Sequence, residues 1–299
     1  MRRLALLAVG TGAMAACVPA DEAIGLGSVQ FLIRASVPAS GVETTDKGSV
    51  RVDRVVLGFK TMTLGRVGTS DCAFRGRAAD RDVVFDPRFQ LTQTFNGIEP
   101  AECPDVGIIL GPPSAETLLG PGATSSDLVD LASGTPAHAI VEATATRIVS
   151  SLMGELDRPT FETETVRIVL RFDPETTSSR FGSCGDGELG LRVVASSRNV
   201  VPVRFSVDLF FRTGLSLEHP LRVSPFFEAD ADRDGVVTLE ELDGLALARA
   251  PSRFDEYRLP DGSRTGSFGD YLRLLFRFAF RFGDGNGSCL GHDPGFEGP

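Results

Sequence analysis

Residues 165–172 read TVRIVLRF. Val166, Ile168 and Leu170 fall on one side of an extended chain, and Arg167, Val169 and Arg171 on the other. This period of two belongs to a strand with one face on a core and one toward water. The pattern recurs in residues 29–35 (VQFLIRA), 49–64 (SVRVDRVVLGFKTMTL), 139–149 (AIVEATATRIV), 191–195 (LRVVA) and 200–211 (VVPVRFSVDLFF). Clusters such as Pro112-Pro113-Ser114 and Pro121-Gly122 separate the runs. Strands divided by such turns, without regular alternation with helices, predict a mainly β fold, an antiparallel β-sandwich over residues 28–217. Residues 86–137 are loop-rich, with one short helix predicted at 125–132 (SSDLVDLA) and Ser125 or Ser126 as its N-cap.

The chain has 299 residues, enough for a sizeable core in one large β domain or two smaller ones. A hydrophobic content of 42% and a charged content of 23% exclude wholesale disorder. The net charge of −10, and the lack of a basic cluster in the sequence, argue against nucleic acid as a partner. Arginine outnumbers lysine 28 to two, and the arginines read as solvated charges on strand faces. No apolar run is long enough to span a bilayer as a helix.

The N-terminus carries Arg2 and Arg3, then the apolar run LALLAV and small residues up to Cys17. A charged start, a short apolar stretch and a small-residue cleavage region predict a secretory signal over residues 1–16. Met14-Ala15-Ala16-Cys17 resembles the lipobox of bacterial lipoproteins, with methionine where leucine is commonest. The resemblance implies that Cys17 is lipidated and becomes the first mature residue. It also implies that Val18 favours outer-membrane sorting, so the protein is expected at the bacterial outer membrane or cell surface. Residues 17–27 then form a tether, and the anchor holds the chain at a membrane without a spanning segment.

With Cys17 assigned to lipid, Cys72, Cys103, Cys184 and Cys289 form an even set in an oxidising compartment. None makes a Cys-x-x-Cys pair, so disulfides are expected. Cys72 with Cys103 and Cys184 with Cys289 is the favoured pairing, although spacing alone cannot select it. Residues 284–299 read as a tail presenting Cys289.

Residues 230–241 (DADRDGVVTLEE) match the EF-hand calcium loop at each defining position. Asp230, Asp232 and Asp234 stand at positions one, three and five, and Gly235 at the sharp turn. Val236 offers a carbonyl, Thr238 can hold a water, and Glu241 supplies the closing bidentate carboxylate. Residues 226–229 read as a short entering helix with Pro225 near its start. Leu239, Leu242, Leu245 and Ala246 form one face of an exiting helix. Together with residues 261–272, read either as a degenerate second loop without the closing acid or as a plain turn, this suggests a helical EF-hand-like module over 218–283. In the first case Val237 would pair with Phe268. Residues 271–282 suit a helix with Arg273, Arg277 and Arg281 in a stripe, or a strand with Phe276, Phe278, Phe280 and Phe282 alternating. Helix is preferred.

Other motifs carry less. Gly185, Gly187 and Gly190 have dinucleotide-loop spacing, but a strand rather than a helix follows. His138, His219 and His292 lie far apart, and no nucleophile motif accompanies them. The expectation is therefore a non-enzymatic, calcium-binding envelope lipoprotein with a mainly structural calcium site. The alternative is a cell-surface module whose protein- or glycan-binding face is ordered by calcium. An enzyme would need His138 or His219 beside a carboxylate in a pocket.

Overall fold

A computed structural model describes residues 25–38, 42–65, 82–98, 101–103, 105–151, 160–185, 191–247, 256–257, 259, 263–282 and 287–291. The first half contains β1 (Gly27–Ser36), β2 (Val42–Glu43), β3 (Gly48–Gly65), β4 (Val83–Phe85) and β5 (Leu91–Ile98). It continues with β6 (Ala101–Cys103), β7 (Asp105–Leu110), β8 (Leu118–Leu119) and α1 (Ser125–Ala132). Then come β9 (Ala139–Ser151), β10 (Thr160–Phe172), β11 (Arg180–Gly185), β12 (Leu191–Val193) and β13 (Arg198–Ser206). The final segments are α2 (Ser224–Ala229), β14 (Val236–Thr238), α3 (Leu239–Gly244), α4 (Phe268–Phe276), β15 (Phe280–Phe282) and β16 (Gly287–Gly291). Strands dominate the described residues and helices are few and short, so the mainly β expectation holds.

Alternation sets the faces as read from sequence. Val166, Ile168 and Leu170 are buried, whereas Arg167 is exposed. The main sheet runs in the order β14-β10-β9-β3-β7-β11-β16-β15-β13-β1-β5. It is mixed rather than antiparallel: β1 pairs with β13, β10 with β14 and β4 with β8 in parallel.

From β10 to β13 is seven steps along this order, which in a flat sheet would be about 34 Å. Yet the Phe172 ring of β10 lies 4.4 Å from Phe276 of α4, and the Phe205 ring of β13 lies 5.9 Å from it. The sheet therefore curls, with Phe276 filling the space between its two arms. One continuous apolar core joins Val29, Phe31, Ile33, Ile168 and Phe172 to Phe226, Val237, Leu242 and Phe276.

The segments beyond residue 217 share this core. β14, β15 and β16 are strands of the main sheet, and β16 stands within the expected C-terminal tail. Residues 271–282 combine both sequence readings, with α4 ending at Phe276 and β15 beginning at Phe280. Phe276 caps the helical face, while Phe280 and Phe282 alternate onto the core as a strand requires.

The disulfide expectation is corrected: among the described residues no two cysteines stand at disulfide distance. Cys103 sits opposite Leu191 in the separate β6–β12 ribbon. Cys184 falls inside the register shift between Gly182 and Gly185, so the bulge breaks its one-to-one alignment with Cys289. Cys72, and the signal and tether with Cys17, lie outside the described residues. Among the described residues no helix is long and apolar enough to cross a membrane.

Candidate metal centre

The loop at 230–235 sits between two short helices that bury their apolar sides. In α2, Pro225, Phe226, Phe227 and Ala229 are buried; in α3, Leu239 and Leu242 are. Both helices are too short to persist alone, so packing rather than propensity holds them. Between them β14 pairs in parallel with β10, matching Arg167 with Val236, Ile168 with Val237 and Val169 with Thr238. Val237 is fully buried, and the Arg167 N–H donates to the Gly235 carbonyl at 2.8 Å. The loop is thereby fixed to the edge of the main sheet.

Arg233 and Gly235 turn the chain with φ of 61° and 77°. A β-carbon on Gly235 would meet nothing closer than the Thr165 carbonyl at 4.0 Å, so conformation rather than space calls for glycine there. The turn gathers one carboxylate oxygen from each of Asp230, Asp232 and Asp234 within 4.8 Å of one another. Oxygens on opposite sides of a calcium ion stand about 5 Å apart, so the cluster has a suitable size. Asp232 Oδ1 accepts from the Asp234 N–H at 3.2 Å, and Asp234 Oδ1 from the Val236 N–H at 2.7 Å. Asp230 Oδ1 is buried and has no hydrogen-bond partner among the described residues. A buried carboxylate oxygen left unpartnered is costly, and a cation would relieve both that cost and the repulsion among the three acids. On these grounds the residues fit a hard divalent cation.

Thr238 and Glu241 are held differently. Glu241 Oε2 accepts from the Thr238 N–H at 2.8 Å and from its hydroxyl at 2.9 Å, while Thr238 Oγ1 accepts from the Glu241 N–H at 3.3 Å. This reciprocal cap starts α3 and keeps Glu241 out of the aspartate cluster. Ligation by both Glu241 oxygens would require release of that cap.

The second loop does not pair with the first. Val237 stands opposite Ile168, whereas Phe268 begins α4. Gly266 lacks the left-handed conformation of an EF-hand turn, and Ser267 caps α4 by accepting from the Asp270 N–H at 3.0 Å. Asp261 and Gly262 lie outside the described residues. Sheet pairing with β10 takes the place that a partner loop would fill.

A groove of about 670 Å³ flanks the aspartates, lined by Arg147, Glu164, Phe227, Asp230 and Arg233. Arg147 bonds Glu164 at 2.7 Å and lies 4.4 Å over the Phe227 ring. These neighbours were not singled out from sequence, because the Arg147–Glu164 pairing depends on the β9–β10 register. On the other side of α3, a cavity of about 510 Å³ is lined by Arg171, Asp173, Thr238, Glu240, Asp243 and Arg273.

Neither His138 nor His219 lines either groove. His138 is fully buried, and Thr177 Oγ1 lies 3.2 Å from its Nε2. Burial pushes its pKa down to about 3, opposed only by the field of Asp173. Thr177 donates its hydroxyl to the Asp173 carbonyl, so Nε2 carries the ring proton and Nδ1 stays a bare acceptor. His219 is exposed beside Gly214, and His292 lies outside the described residues. Strands flank both sides of the Gly185–Gly190 spacing, as β11 and β12, rather than an opening helix. Comparison with family models, curated proteins and solved structures found no match.

Proposed function

We propose that this chain is a lipid-anchored, exported envelope protein whose loop at 230–241 holds calcium in a mainly structural role. The observation that carries the reading is the convergence of Asp230, Asp232 and Asp234 around a left-handed Gly235, with Asp230 Oδ1 buried and unpartnered. Those three aspartates, the Val236 carbonyl and Glu241 would hold the ion, with Thr238 contributing through a water. The ion would supply positive charge to a site that is otherwise only acidic. In this reading the loop and its two helices are a single EF-hand-like unit docked on the sheet, and the curled sheet is a form of β-sandwich. The lipid anchor rests on Met14-Ala15-Ala16-Cys17 in the sequence.

A structural role suits the position of the loop. It links α2, β14 and α3 at the sheet edge, so an ion there would stabilise the fold rather than move a lid. Sites of this kind in exported proteins bind at about 0.1–1 mM, near saturation where calcium is millimolar. The resulting stabilisation is on the order of 1–2 kcal/mol by mass action. A non-enzymatic role belongs to the same reading.

Calorimetric titration of calcium into the chelator-stripped chain tests the metal. One equivalent should bind, with Asp230→Ala abolishing the heat and Glu241→Gln weakening it at least about tenfold. No heat from the wild type, or equal binding by Glu241→Gln, would refute the calcium assignment. The anchor is tested separately by detergent-phase partition after expression in bacteria. The wild type should enter the detergent phase and Cys17→Ser the aqueous phase; identical partition would refute lipidation at Cys17.

A further inference from the structure

Three arginines far apart in the chain meet in one row of the sheet. Arg34 of β1 stands opposite Arg204 of β13, and Arg204 stands opposite Arg281 of β15. The core-facing residues of these strands include Ile33, Val203, Phe205, Phe280 and Phe282, so alternation puts all three arginines on the outer face. Like charges directly opposite one another destabilise a sheet. Nothing among the described residues offsets them by an ion pair: β5, β1, β13 and β15 contain no aspartate or glutamate, in a chain with 40 acidic residues.

The partners the arginines do have leave donors over. Arg281 donates from Nη2 to the Leu215 carbonyl at 3.2 Å. The Nε atoms of Arg204 and Arg281 are buried and without a hydrogen-bond partner among the described residues. Asp208 is the acid whose field reaches Arg281; its Oδ2 is held by Arg212 at 3.0 Å, and its buried Oδ1 makes no hydrogen bond to Arg281 or to any other described residue. Burial pushes the Arg281 guanidinium below its usual value, a direction that Asp208 opposes and Arg212 reinforces.

We propose that Arg34, Arg204 and Arg281 form an oxyanion site on the outer face of β1, β13 and β15, built for a phosphate-type group. Neighbouring strands lie about 4.8 Å apart, so the outer two arginines start about 10 Å from one another. Side chains of that length can close on a single tetrahedral anion from three sides. Guanidinium groups match it by paired charge-assisted hydrogen bonds, and the anion replaces repulsion along the row with attraction. The chemistry is shared by free phosphate and by the phosphate of an anionic lipid headgroup.

Two titrations of the full chain carrying Cys17→Ser separate these sources. The first is calorimetry with inorganic phosphate and pyrophosphate at low ionic strength. The second is sedimentation with vesicles of equal parts phosphatidylglycerol and phosphatidylcholine, against pure phosphatidylcholine. Arg34→Gln and Arg204→Gln are compared with Arg51→Gln, an exposed arginine paired with Asp53. Arg34 is exposed, so its variant tests the site without disturbing the core. Phosphate binding weakened at least about tenfold in both variants, and unchanged in Arg51→Gln, supports a site for free anions. Binding only to phosphatidylglycerol vesicles, with the same loss in both variants, supports the headgroup source. Absence of both interactions, or variants that bind as well as the wild type, overturns the proposal.

Discussion

His138 shows how one side chain ties stability to pH. Its ring is fully buried beside Phe276, and its pKa is pushed down to about 3 by that burial. An unfolded histidine titrates near 6.5. Between those two values the unfolded chain binds a proton that the folded chain refuses, so stability falls as pH drops below about 6.5. The loss is about 1.4 kcal/mol per pH unit, or about 2 kcal/mol by pH 5. Against the upward push of burial, hydrogen bonds hold Asp46, Asp127 and Asp173 below the usual carboxylate range, so their contributions are lost only at lower pH. Urea midpoints at pH 7 and pH 5 should therefore separate strongly in the wild type and much less in His138→Phe. Equal separations would mean that the His138 proton is accepted inside the fold.

At the scale of elements, local pattern and local capping carry most of the fold. The helix at 125–132 forms over the predicted residues, but its cap is Thr124 rather than Ser125 or Ser126. Asp127 Oδ2 accepts from the Thr124 N–H at 2.6 Å and from its hydroxyl at 2.8 Å. Arg54 of β3 then pins α1 to the sheet, bonding Asp127 through Nε at 2.8 Å and Asp130 through Nη2 at 2.6 Å. Short strands fare less well. β5 and β7 fall in the stretch that read as loop, because Gly97 and Gly107 interrupt their alternation and pairing with β1 and β3 completes them. The cluster of Asp230, Asp232 and Asp234 was legible in the sequence, since its residues come from one short stretch. Its companion was not: β14 takes its hydrogen bonds from β10, 69 residues earlier in the register, and no spacing rule reaches that far.

For the whole molecule, closure of the sheet depends on a single aromatic hub. Phe276 touches His138, Phe172, Phe181, Phe205 and Phe210, with ring centroids 4.4 to 6.2 Å away. These rings come from both arms of the curled sheet and from the 3-10 turn at Val207–Phe211. Replacement of Phe276 by alanine leaves a cavity where the arms meet and should cost about 3–5 kcal/mol. Chemical denaturation measures this directly. A cost below about 1 kcal/mol would show that the arms close without the ring.

Sequence by itself determined the mainly β character, the faces of the long strands, the 125–132 helix and the aspartate loop. Each is written in residues within a few positions of one another, where alternation, capping and ligand spacing act. Tertiary structure alone decided the parallel β1–β13 and β10–β14 pairings, the curl around Phe276, the lack of disulfide geometry among the described residues and the large core that joins the sheet to the segments beyond residue 217. It also decided the arginine row. A sequence without a basic cluster still places Arg34, Arg204 and Arg281 side by side, because strand register joins residues by hydrogen bonds irrespective of their distance along the chain.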